Sequence, residues 1–281
     1  MEILVFSSVI LAAILHAGWN FLVKASANKQ TSMTAVVFGH VPAALVCLTV
    51  APRPELASLP YIGAGAVLHV GYQLFLSRAY QLADFSMVYP IARGMAPLLI
   101  AVFSWLVLDI PLGGIGTVAV VSIAAGLAGL AVAGGSGAAS WSLDAISAAL
   151  LTGVFIASYS LIDGLGAVHA ATALGFYAWL SLLNAALMMV FMLGKNPRIL
   201  TDILQDGKLP FAVGGSMSFT AYALVIWAFT MAPIAIVSAV RETSIIFGLL
   251  AGRWLLSERV GKAQFVSVFL IAGGAALTRL S

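Results

Sequence analysis

Apolar residues run along this chain in ten stretches, each ended by a short break that carries Pro, Gly or charge. The first half predicts helices over Ile3 to Lys24, Met33 to Ala51 and Pro60 to Leu82. A fourth follows Ala83-Asp84 and runs to Leu108, and a fifth runs from Leu112 to Ala133. Gly134-Gly135-Ser136-Gly137 then breaks the pattern. The second half predicts helices over Leu143 to Gly164, Ala170 to Leu193, Pro210 to Ala232, Ile234 to Leu256 and Lys262 to Leu280, with the longest polar loop at Gly194 to Leu209. Each stretch approaches the ~20 apolar residues that a helix needs to cross the hydrocarbon core.

The two halves echo one another. Trp105-Leu106-Val107-Leu108-Asp109 closes the fourth helix much as Trp254-Leu255-Leu256-Ser257-Glu258 closes the ninth. Leu59-Pro60-Tyr61 opens the third helix as Leu209-Pro210-Phe211 opens the eighth, and Ala79-Tyr80 falls opposite Ala228-Phe229. Residues 1–135 and 136–281 therefore read as two five-helix repeats. Five is odd, so the halves enter a bilayer from opposite sides, and the fold class expected is an all-α polytopic membrane protein of ten transmembrane helices as two inverted repeats around a central cavity.

Composition removes the competing classes. Hydrophobic residues make up 62% of the 281 positions and charged residues 8%, against about 25% charged in soluble domains. A surface facing water could not be dressed from that stock, so the main partner is the lipid bilayer. The net charge of +3 is scattered, which argues against nucleic acid. Cys47 is the lone cysteine, so no internal disulfide forms. The first helix lacks a basic start and outruns a signal-peptide core, so it reads as a retained span.

Polar residues inside the apolar stretches are the candidates for function, because an ionisable group at mid-helix costs ~2.5–3.5 kcal/mol. His16, Trp19 and Asn20 share one helix face, and His69, Tyr72 and Gln73 repeat the same spacing. Arg93 stands in Tyr89-Pro90-Ile91-Ala92-Arg93-Gly94, with Pro97 beyond, and predicts a kinked or partly unwound helix where a fixed positive charge could meet a carboxylate or phosphate. Arg241-Glu242 occupies the matching stretch of the second half. One arrangement pairs Glu242 with Arg93 and leaves Arg241 for substrate. Tyr159, Tyr177, Tyr222 and Trp227 supply aromatic and hydroxyl surface. His16 is also the candidate for proton coupling, since imidazole can titrate near neutral pH. His40 and His169 have no ligands at metal spacing. Tyr61, Trp141 and Trp254 read as interface-belt residues. Ser122-x-x-x-Gly126, Ala125-x-x-x-Gly129 and Gly273-Gly274 give small-residue faces for close helix packing, within the chain first and against a partner as the alternative.

The paired halves and the Trp-Leu-x-Leu/Ser-acidic closures resemble the drug/metabolite transporter superfamily, in its ten-helix EamA-domain branch. The resemblance spans nearly the whole chain, and amino-acid exporters of the YddG type belong to that branch. It implies helices 1–4 and 6–9 around the cavity with 5 and 10 outside, and export or exchange of small organic metabolites without ATP. It also implies a multi-pass protein of the inner (plasma) membrane, monomeric or weakly dimeric, with no cofactor. His16 stands where the small multidrug-resistance relatives carry a coupling glutamate, a departure that argues against glutamate-based exchange. Amino acids are the first expectation for the cargo. Cationic drugs or quaternary amines held by Glu242, and sugar phosphates or phosphonates held by the arginines, are the alternatives. An intramembrane enzyme is disfavoured: no His-Glu-x-x-His or Gly-x-Ser-x-Gly run is present. Orientation divides the expectations. Lys29, Lys195, Arg198, Lys208, Arg259 and Lys262 on one side outnumber Arg53 and Arg279 on the other. By the positive-inside rule both termini face away from the cytoplasm, whereas the resemblance implies cytoplasmic termini.

Overall fold

A computed structural model describes residues 2–106, 113–135 and 142–277. Asp109, Trp141 and Arg279 lie outside the described residues, as do Leu112, Ser136-Gly137 and the predicted helix ends at 107–108 and 278–280. Among the described residues the fold is helical with no strand. The helices are α1 (Ile3–Ala25), α2 (Lys29–Phe38), α3 (His40–Leu48), α4 (Leu59–Leu82), α5 (Phe85–Leu106), α6 (Gly113–Gly135) and α7 (Leu143–Val168). They continue as α8 (Ala173–Lys195), α9 (Ile199–Asp206), α10 (Gly215–Met231), α11 (Ile234–Arg241), α12 (Ser244–Leu255) and α13 (Lys262–Leu277). Among the described residues, seven stretches are long and apolar enough to cross a bilayer: Ile3–Ala25, Lys29–Leu48, Leu56–Leu82, Gly113–Leu130, Leu143–Val168, Ala173–Lys195 and Pro210–Met231.

Local chemistry sets the helix ends. Asn28 Oδ1 accepts from the amides of Gln30 and Thr31, Ser142 Oγ from Ala145, and Thr172 Oγ1 from Gly175, so α2, α7 and α8 each begin on a side-chain cap worth about 1 kcal/mol. The start of α5 is capped from far away in sequence. Glu258, beyond α12, takes the amides of Phe85 and Ser86 at 2.7 and 2.8 Å. At the same corner Lys24 Nζ donates to the carbonyls of Tyr80 and Ala83, the last turn of α4. A carboxylate at a helix start and an ammonium at a helix end both complement the backbone dipole.

Several predicted spans differ in detail. The second is two helices, because Pro42 has no amide to give to the preceding turn and the chain bends at Gly39. A methyl on Gly39 would lie 2.8 Å from Gly215 Cα, so the backbones of the two halves touch there. The polar loop at Gly194 to Leu209 holds α9, which buries Ile199 and Ile203 and exposes Leu200 and Leu204. The unwinding expected beside Arg93 is absent: α5 runs helical through Pro90 and Pro97. The break falls in the other half instead, between α11 and α12. There Glu242 and Thr243 bond back to carbonyls three residues away, as does Ile245 to Glu242.

The peripheral helices α6 and α13 pack on each other more extensively than on any other described helix. Gly126 and Gly274 make the approach possible, since a methyl at either would sit 2.6 Å and 2.8 Å from the carbonyl oxygens of Ser267 and Ala119. The remaining helices surround a centre rich in buried polar side chains, while Leu45, Val67, Val118, Val190 and Phe269 point outward. An apolar exterior around a polar interior inverts the soluble pattern and suits lipid.

Candidate functional site

Seven helices meet around a small central cavity. Among its walls, α1 contributes His16 and Trp19, α4 contributes His69, Tyr72 and Gln73, and α7 contributes Tyr159. Tyr177 of α8 and Ser218 and Tyr222 of α10 complete the polar lining, with Met33, Val36, Val37 and His40 from α2 and α3. The space open to a water-sized sphere is about 30 Å³, close to the share of liquid that one water occupies and far below the ~300 Å³ at which small-molecule sites begin. In this conformation the chamber is too small for such a molecule.

Each wall is braced from behind. Trp19 Nε1 donates to His16 Nδ1 at 3.3 Å. Asn20 does not face the cavity lining; it accepts from Tyr80 Oη at 2.8 Å and donates to the His16 carbonyl, pinning α1 to α4. Gln73 and Asn184 exchange hydrogen bonds at 2.8 and 3.3 Å, pinning α4 to α8. Asp163 of α7 accepts from Tyr222 Oη at 2.7 Å and lies 2.8 Å from His69 Nε2 through the same oxygen, Oδ2. The His69 ring stacks on Tyr159 with centroids 4.2 Å apart and meets Tyr222 edge-on at 5.2 Å.

Beyond the cavity wall lies a charge cluster with essentially no exposure. Arg93 Nη2 is 3.0 Å from Glu242 Oε1, and Arg241 Nε is 3.9 Å from the same oxygen. The break between α11 and α12 shapes it. With Ile245 turned to the carbonyl of Glu242, the carbonyl of Arg241 accepts from Arg93 Nη2 at 3.3 Å. Arg241 Nη2 reaches across to Ser160 Oγ at 3.0 Å. Two guanidiniums against one carboxylate leave a surplus positive charge. Nε and Nη1 of both arginines have no hydrogen-bond partner among the described residues, although such groups are costly to bury unpaired.

Of the residues singled out by sequence, the structure brings His16, Trp19, His69, Tyr72, Gln73, Tyr159 and Tyr222 to the cavity. It gathers Arg93, Arg241 and Glu242 behind it, with the buried Tyr89 on α5 one turn before Arg93. Trp227 is half-buried and stands apart from that lining. Sequence reasoning missed Asp163, Asn184 and Ser160. Asp163 falls one residue from the predicted end at Gly164, where an acidic residue reads as a loop boundary, whereas α7 continues to Val168.

A chain of helices with an apolar exterior and a central polar chamber is a multi-pass membrane protein. Residues 143–280 match the EamA-like transporter family, a match that supports membership of the drug/metabolite transporter superfamily and indicates a membrane transporter of that type. A protein of known crystal structure is similar over 100% of this chain and 98% of its own, with a TM-score of 0.63 and 20% identity, a likeness of fold alone. None of the curated proteins compared with the chain matches it.

Proposed function

We propose that this transporter is secondary, moving small organic metabolites, amino acids foremost, across the inner membrane by alternating access of two inverted five-helix halves. The ten-helix reading takes the seven long spans together with α5, the broken pair α11–α12 and α13. The halves, 1–135 and 136–281, would rock about the central cavity, whose polar walls come from both: α1 and α4 on one side, α7, α8 and α10 on the other.

The observation that carries the cargo class is the surplus guanidinium charge with four unpartnered donor atoms next to an aromatic chamber. Fork-shaped donors suit a planar carboxylate, and tyrosine walls tolerate variable side chains. Glu242 faces two arginines, which weighs against an amine cargo at that carboxylate. A phosphate or phosphonate would use the same donors.

Counterflow of radiolabelled amino acids into proteoliposomes tests the reading, with a sugar phosphate as competitor. Saturable uptake of one or more amino acids is expected. A panel of all twenty without accumulation removes the amino-acid assignment, and competition by the phosphate alone replaces it. Arg93→Ala then tests the arginine: full transport at wild-type stability in detergent would remove it from the cargo path.

A further inference from the structure

The pair His69–Asp163 is a second chemical centre that cargo binding does not account for. Asp163 is completely buried, and its two hydrogen-bond partners, His69 and Tyr222, converge on one oxygen. The other oxygen, Oδ1, has no hydrogen-bond partner among the described residues and packs against the backbone of Gly65, where any side chain would collide with it. An ionised carboxylate with one oxygen unsolvated is expensive to bury. A positive charge on His69 offsets that cost, so the state of the acid depends on the state of the base. His69 commits Nε2 to Asp163 and itself lines the cavity, which leaves Nδ1 as the nitrogen that meets cavity contents.

We infer that the His69–Asp163 pair binds the exchangeable proton that couples transport, loaded and released through His69 Nδ1. This inference rests on the secondary-transporter reading above. A proton from cavity water adds to Nδ1 and turns the neutral imidazole into imidazolium against the Asp163 carboxylate. The Nε2–H stays in its hydrogen bond throughout. When the cavity opens to the other side, the same proton leaves Nδ1 to water and the neutral ring returns. Stacking on Tyr159 favours the imidazolium form, because an aromatic face attracts a cation.

The surroundings favour this pair over His16. Arg93 and Arg241 are the charged neighbours of His16, and its Nδ1 already accepts from Trp19. Added positive charge there meets two guanidiniums. His69 instead has a carboxylate in contact. The other groups that face the pair are His16 from α1 and His40 from α3, whose charge would oppose that of His69. From α8, α10 and α7 come the phenols of Tyr177, Tyr222 and Tyr159, which face Asp163. Tyr72 of α4 completes the ring contacts of His69. Arg93, Arg241 and Glu242 act on Tyr159, both arginines on Tyr72, and Arg241 also on Tyr222.

Infrared difference spectra of the protein in nanodiscs, recorded across pH steps without cargo, test the proton site directly. The wild type is expected to show one titration in which imidazole and carboxylate bands move together, since a strongly interacting pair titrates as a unit. His69→Gln should abolish it, and Asp163→Asn should remove the carboxylate band and move the imidazole titration to lower pH. Tyr222→Phe, which removes one donor from the carboxylate, should move its midpoint to higher pH. An imidazole titration left unmoved in Asp163→Asn, or one that vanishes in His16→Gln while persisting in His69→Gln, overturns the inference. In proteoliposomes with a radiolabelled mixture of the twenty amino acids, accumulation driven by a pH gradient of about one unit, worth tenfold per proton, is compared with counterflow. For Asp163→Asn the ratio of driven accumulation to counterflow should fall about tenfold. A ratio equal to the wild type overturns the coupling. If the wild type shows no counterflow, the amino-acid reading falls while the infrared titration still decides the proton site.

Discussion

Glu242→Gln should be the most damaging single change in the charge cluster, worse than loss of either arginine. Glu242 faces Arg93 at 3.0 Å and Arg241 at 3.9 Å. At an effective dielectric constant of ~20 these separations correspond to attractions of about 5.5 and about 4 kcal/mol. Glutamine forfeits both and leaves two guanidiniums facing each other without a counter-charge among the described residues. Arg93→Gln forfeits the first attraction only and relieves the repulsion between the arginines, so its cost should stay near the ~3–5 kcal/mol seen when one partner of a buried pair is removed. The net charge of the cluster also predicts suppression. The double variant restores the single surplus positive charge of the wild type and should be more stable than Glu242→Gln alone. Unfolding of the purified protein in mixed micelles, titrated with denaturing detergent and followed by tryptophan fluorescence, gives the order directly. The reasoning fails if Glu242→Gln is milder than Arg93→Gln, or if the second substitution adds to the damage of the first.

Three further outcomes follow from contacts elsewhere. Gly126→Leu should wedge α6 off α13, where even a methyl would lie 2.6 Å from the Ser267 carbonyl oxygen; an overpacking cost of about 1–3 kcal/mol should appear in the same unfolding titration, and wild-type stability would contradict that packing. Glu258→Gln should lose about 1 kcal/mol from the cap of α5, read as faster thiol labelling when it is added to a protein carrying Ala83→Cys and Cys47→Ser; unchanged labelling would mean the corner is held without the charge. Gly39→Ala places a methyl 2.8 Å from Gly215 Cα and should lower the thermal midpoint in detergent, whereas Gly63→Ala, with open space around it, should not.

The spans were legible because lipid imposes a simple demand on a helix that crosses it, about twenty residues with few charges. That demand placed the start of α1 at Ile3, the end of α4 at Leu82 and the starts of α7 and α13 at Leu143 and Lys262, where the helices are found. The interruption between α11 and α12 was not legible. It has neither Pro nor Gly, and what marks it is a long-range contact, the Arg241 carbonyl accepting from Arg93 Nη2. Pro90 and Pro97 misled in the opposite direction, since the rest of α5 holds the helix through both. One-face spacing found His16 with Trp19 and His69 with Tyr72 and Gln73, because helical periodicity is a property of the local chain. It could not find Asp163, whose importance is defined by His69 and Tyr222, 94 and 59 residues away. The cap of α5 by Glu258, 173 residues distant from Phe85, was hidden for the same reason.

The small size of the chamber bears on what the protein withholds from passing as much as on what it carries. A cell membrane stores energy as a proton gradient, and an unbroken file of water across any protein would drain it. A space with room for about one water beside the His69 ring is too short to hold such a file at that point of the protein. Substitutions that hollow the wall, such as Trp19→Ala or Tyr159→Ala, would therefore act first as electrical faults, and cells expressing them should depolarise before any cargo is added.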